Sequence, residues 1–158
     1  MKIGLSALVL TAMLGFGAAS AAPSTIGGNA ALTVASLVAP YSPGLTAGQK
    51  HVLHMFLAGT TSFPSSNAPI HLHVDAIHCQ LGDVSIVTHR CQIIYGGATT
   101  SENGEEGAAI LANLALAGVF ADGAAGTIHY DVTNLNCTID VAMVKSNGGG
   151  GVACTYTP

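Results

Sequence analysis

What the chain has least of is positive charge. Lys and Arg number four in 158 residues, and one of them is Lys2 at the extreme N-terminus. Lys50, Arg90 and Lys145 are the rest, scattered far apart in the sequence. Nucleic-acid binding draws its affinity from several cations tracking phosphates, so it is excluded as a function class. Docking on an anionic membrane surface is disfavoured for the same reason. Other absences narrow the field further. No Cys-x-x-Cys occurs, which removes zinc knuckles and thioredoxin-type redox chemistry. No Gly-x-Ser-x-Gly occurs, which removes the nucleophile elbow. No internal repeat is found, and nothing after residue 22 is apolar over enough length to span a bilayer.

What is present begins with an export signal. Met1-Lys2 is a positive n-region, residues 3–18 are uncharged and apolar or small, and Ala19-Ser20-Ala21 supplies small residues for cleavage. Residues 1–21 therefore read as a signal peptide, with Ala22 as the first residue of the mature chain. Three bases against eight acids leave that mature chain at −5 with His neutral. It is long enough for one domain that buries about two thirds of its unfolded surface. An exported chain with an even number of cysteines reads as disulfide-bonded. The protein is expected in the periplasm or outside the cell.

The elements follow from periodicity and punctuation. Residues 22–44, rich in Pro, Gly and Ala, read as a flexible N-terminal arm, leaving residues 45–158 as the folded domain. Thr46-Ala47-Gly48-Gln49 is a capping box. It predicts a helix to about Ala58, with Val52, Leu53, Phe56 and Leu57 on one face and Lys50, His51 and His54 on the other. Residues 60–69 read as a loop.

The stretch 70–79, Ile-His-Leu-His-Val-Asp-Ala-Ile-His-Cys, alternates as a strand does and then slips parity at Ile77 and Cys79. A β-bulge near Asp75–Ile77 would restore the apolar positions to the core face. Strands are expected at 84–95, 127–132, 135–144 and 151–156. A helix is expected at 104–117, apolar nearly all round and therefore well buried; any side left exposed would be a candidate binding surface. Cysteine parity pairs Cys79 with Cys91 and Cys137 with Cys154, each stapling a hairpin. The order α-β-β-α-β-β-β, with short connections, predicts an α+β domain: an antiparallel sheet of about five strands with helices on one face.

Chemistry is hinted at in one place. His71 and His73, two residues apart on a strand, project from the same face, and Asp75 continues the row. If the first helix lay near, His51 and His54 could join them in a zinc or copper site, imidazole suiting both metals. The helix is expected to turn its histidines away from the core, which works against convergence.

A His129–Asp131 pair could orient an imidazole for general-base work, but no activated Ser or Cys completes a nucleophilic site. Glu105 and Glu106 fit the first turn of a helix, where carboxylates favour the dipole. Gly148–Gly151 reads as a mobile hairpin tip rather than a phosphate cradle. Asn136-Cys137-Thr138 matches the N-glycosylation pattern but falls mid-strand.

The leading expectation is a small exported, non-enzymatic protein that binds another protein or a ligand. It would need no cofactor and would use loops at 60–69, 96–103 and 145–151. The alternatives are a histidine-based zinc or copper binder, and a hydrolase using a histidine-bound metal.

Overall fold

A computed structural model describes residues 21–59, 66–81, 89–119 and 128–158, with the side chains at 81 and 128–130 left out of the description. Residues 1–20, read as signal peptide, most of the loop expected at 60–69, the first half of the strand expected at 84–95 and the turn expected at 121–126 lie outside the described residues.

Six strands form one antiparallel sheet: β1 (Ser24–Gly27), β2 (Ile70–Leu81), β3 (Arg90–Tyr95), β4 (Ala98–Asn103), β5 (Ile128–Ile139) and β6 (Val152–Thr157). Their spatial order is β1-β6-β5-β2-β3-β4. Helices α1 (Gly28–Val38), α2 (Ala47–Leu57) and α3 (Gly104–Leu116) form the layer packed on it, and a short α4 (Val141–Asn147) follows β5. The fold is α+β, as the sequence predicts, with one strand more than expected and a different order.

The central pair is β2 and β5, twelve residues each and matched over their whole length. Leu72 and Val74 of β2 oppose Cys137 and Leu135 of β5, and all four are buried. Further along, Ile77 opposes Val132, again both buried. The core positions are therefore three residues apart in both strands, where a regular strand would keep them two apart. Asn134 supplies the break, with φ of 50°, a left-handed conformation that Asn tolerates better than most residues. The β5/β6 register shifts between Thr133 and Asn136. The parity slip read in β2 is thus real. The extra residue sits in β5 against β6, and β2 changes face beside it.

Both disulfides form as predicted. Cys79–Cys91 ties β2 to β3 and Cys137–Cys154 ties β5 to β6, each pair directly opposite on the buried face. They flank the central pair, one on each side.

Four expectations are corrected. First, residues 22–44 are not a flexible arm. Ser24–Gly27 adds a strand beside β6, and α1 buries Ala31, Val34, Ala35 and Val38, the i, i+3, i+4, i+7 set of a core-facing helix. Second, the strand expected at 135–144 ends at Ile139. Asp140 accepts a hydrogen bond from the Met143 amide (3.0 Å) and caps α4 instead.

Third, residues 98–103, expected as a loop, form β4 in a hairpin with β3 through Gly96-Gly97. Fourth, Gly148–Gly151 is a 3-10 turn, not a mobile tip; Gly149 and Gly151 are buried, and the turn packs against α1. A methyl group at Gly149 would lie 2.7 Å from the Asn29 amide nitrogen and from the Gly28 carbonyl carbon. Those are backbone atoms that cannot step aside. Gly149→Ala is therefore expected to lose about 1–3 kcal/mol in urea unfolding, the range for overpacked sites. Gly150, exposed and facing only the flexible Asn147 side chain, is the control site, with a smaller loss.

Candidate functional site

The histidines that stand out in the sequence do not gather. His71 and His73 lie on the sheet face away from the helices, because their neighbours Leu72 and Val74 take the core side. His54 lies on the helical side. Its Nδ1–H donates to the Ser36 carbonyl of α1 at 2.9 Å, so α2 turns it toward α1 and not to solvent as expected. His51 is exposed on α2. The sheet itself stands between the two pairs. Among the described residues, no group of three or more His, Cys, Asp or Glu side chains is placed to hold a metal ion.

His73 has a different role. Asn136 donates its side-chain N–H to the Asn134 carbonyl (2.8 Å), which turns its Oδ1 toward His73 Nδ1, also at 2.8 Å. The Nε2 of His73 faces Asp75 Oδ1 at 2.9 Å. Both ring nitrogens thus face side-chain oxygens of the sheet itself, and His73 is held within the sheet. The network spans the point where β2 and β5 change face, and Asn134 is its irregular residue. His73, Asp75 and Asn136 form a polar staple beside the bulge, and His71 pairs separately with the Thr138 hydroxyl (3.3 Å).

The polar face carries a second pairing. His78 Nδ1–H donates to Asp131 Oδ1 (2.7 Å) across β2 and β5, beside a hollow of about 190 Å³ that Gln80, Arg90 and Gln92 also line. His129, the partner expected for Asp131, has its side chain outside the described residues. The Asp131 carboxylate orients His78, a histidine the sequence does not single out. Glu105 and Glu106 sit in the first turn of α3, as expected.

At the outer end of the helical layer, Tyr41 donates its hydroxyl to Glu102 Oε1 (3.1 Å) and its ring packs against Tyr95, centroids 5.8 Å apart. Lys50 stands over the Tyr95 ring at 5.6 Å. Burial of the phenol, followed by its bond to the Glu102 carboxylate and that group's charge, pushes the Tyr41 pKa up to about 12. An acid whose folded pKa is raised favours folding below its unfolded value of 10.0 and loses that contribution as pH climbs toward 12. In a spectrophotometric titration, one tyrosine is expected to ionise near pH 12. Tyr41→Phe should remove that late step.

The largest concavity described is apolar. It lies between α2 and the start of β2, with a volume of about 390 Å³, which falls in the size range of small-molecule sites. One wall is Leu45, Gly48, Val52 and Leu53; the other is Ala68, Pro69 and Ile70. Among the described residues the polar side chains lining it are Gln49 and Ser66, and the oxygen of each accepts a backbone hydrogen bond from its own wall. Gln49 Oε1 accepts from the Thr46 amide (2.8 Å) in the capping box the sequence announces, and Ser66 Oγ accepts from the Ala68 amide (3.1 Å). Lys145 Nζ donates to Asn67 Oδ1 (3.1 Å), tying the second wall to α4.

The sequence pointed at the wrong face of α2 for this site. Val52 and Leu53 are adjacent, and about 100° of helical rotation separates their side chains. Leu53 takes the core, at 1 % exposure, while Val52 is left 38 % exposed on the cleft. No protein-family model, curated protein or solved structure matches this chain.

Proposed function

We propose that this is a small exported binding protein that holds a neutral apolar ligand, one ring or a short aliphatic chain in size, in the cleft between α2 and β2. The cleft carries the reading: an open apolar hollow of small-molecule size with few polar side chains, whose oxygens accept from its own walls. Apolar surface left in contact with water favours a ligand that covers it. Two disulfides point to an oxidising compartment, which agrees with the signal peptide read from residues 1–21. We place the activity in binding and assign no catalysis. A histidine-bound zinc or copper is the weaker reading, since His51 and His54 are parted from His71 and His73 by the sheet.

The test is a titration with the neutral fluorophore N-phenyl-1-naphthylamine. Saturable enhancement is expected, and Val52→Glu should weaken it by at least about tenfold, because a carboxylate desolvated on an apolar wall is costly. Val52 is exposed enough for the variant to fold. Absence of saturable binding, or full binding by Val52→Glu, would refute the assignment.

A further inference from the structure

We propose that two copies of this chain associate through β4, edge to edge, into one continuous antiparallel sheet. The inference is independent of the cleft, which lies elsewhere on the molecule.

The backbone hydrogen bonds show which groups of β4 are unspent among the described residues. The Gly104 amide donates to the His89 carbonyl (2.9 Å), and the register pairs Arg90 with Asn103. Bonded and non-bonded pairs alternate along an antiparallel ladder. Glu102, Thr100 and Ala98 therefore bond across to β3, while Thr99, Ser101 and Asn103 turn their N–H and C=O groups outward. A second observation agrees. Cys91 opposes Cys79 with Cα atoms 4.0 Å apart, the close spacing of a non-bonded pair, as it must be if the Cys91 backbone is engaged with β4.

Exposed edges are normally blunted by proline, lysine, a bulge or brevity. Ala98–Asn103 reads ATTSEN, with no proline and no lysine, and pairs with β3 without a register shift. The opposite edge, β1, is only four residues long and begins next to Pro23. The single charge on β4, Glu102, lies on the helical side, hydrogen-bonded by Tyr41.

A second copy fits this edge better than an arbitrary strand does, because the outward row is self-complementary. With the twofold at Ser101, Thr99 faces Asn103 of the second copy and Ser101 faces its own counterpart, so every outward group finds a partner. Glu102 meets Thr100 of the second copy, and no like charges oppose each other. The helices agree. α3 lies over β3 and β4, with Gly107, Ile110 and Leu114 toward the sheet and Asn113 toward α1 and α2. Helical geometry then places Ala108, Leu111 and Ala115 on the flank above the free edge. Strands spaced about 4.8 Å apart would set the two α3 axes about 10 Å apart, a helix-packing distance.

Sedimentation equilibrium on the purified protein tests this. The wild type is expected at twice the mass of the chain. Ser101→Pro removes only an outward N–H and leaves the bonds to β3 intact. Ser101→Lys sets two like charges against each other at the twofold. Both variants are expected at the mass of one chain, with circular dichroism unchanged. If the proline variant misfolds, the lysine variant decides alone. A wild type that stays monomeric at millimolar concentration would overturn the proposal, as would a dimer that survives Ser101→Lys in a folded protein.

Discussion

Val34→Asp is expected to leave the protein unfolded in buffer at room temperature. Val34 has no exposed surface and sits in α1 among the residues that form the core with β2, β5 and β6. The buried residues it clusters with are apolar. Burying an unpaired carboxylate costs several kcal/mol, a large share of the 5–15 kcal/mol or so that holds a domain together. Val34→Ala, which only opens a cavity, should lose roughly 1–3 kcal/mol in urea unfolding. The effect is informative because a flexible arm, as residues 22–44 read in the sequence, would tolerate Asp at this position. A native circular dichroism spectrum for Val34→Asp would remove α1 from the core.

Loss of the disulfides comes second in size. The Cys137–Cys154 staple closes a loop of sequence separation 17, and Cys79–Cys91 one of 12. Constraint of the unfolded chain alone assigns about 3 kcal/mol to each loop of this length. Cys137→Ala with Cys154→Ala is therefore expected to lower the unfolding free energy by about 2–4 kcal/mol, and removal of both bridges to leave the protein marginal or unfolded. Comparing urea midpoints of oxidised and reduced protein measures the joint effect. Equal midpoints would show that the staples contribute nothing.

The parts of the fold legible in the sequence were those set by local rules. The capping box at Thr46, the acids opening α3, the core parity of the cysteines and the slip after Asp75 each declare themselves within a few residues. The parts that were not legible depend on partners distant in the chain. α1 carries a clean helical spacing in Ala31, Val34, Ala35 and Val38, but three neighbouring glycines and prolines on both flanks read as disorder. Only packing against β6, over a hundred residues on, gives that stripe a core to join.

Beyond Ile139, Val141 and Met143 continue the strand alternation, and the Asp140 cap overrides it. Asn134 in a left-handed conformation made one bulged strand of what read as two. The four glycines were misjudged for a related reason. Flexible in isolation, they are required where the Gly149 backbone meets Asn29.

The site was less legible than the fold. His71, His73 and Asp75 have the spacing of metal ligands, yet His73 bonds Asn136 and Asp75 while His71 pairs with the Thr138 hydroxyl. Adjacent apolar residues in α2 concealed the cleft, since the sequence does not say which of Val52 and Leu53 the core takes. The expectation that α3 would be well buried also failed. Only Gly107, Ile110 and Leu114 are buried along the helix, and Leu116 is 85 % exposed. An exposed side of that helix was named in advance as a candidate binding surface.

Where a bound apolar ligand sits is the most direct question to put to this molecule. Amide shifts of ¹⁵N-labelled protein, followed through a titration with N-phenyl-1-naphthylamine, answer it residue by residue. Saturating shifts are expected at Leu45, Gly48, Val52, Leu53 and Ile70, with the polar sheet face around His73 and His78 unmoved. Shifts confined to that polar face, or none that saturate, would contradict the assignment of the cleft.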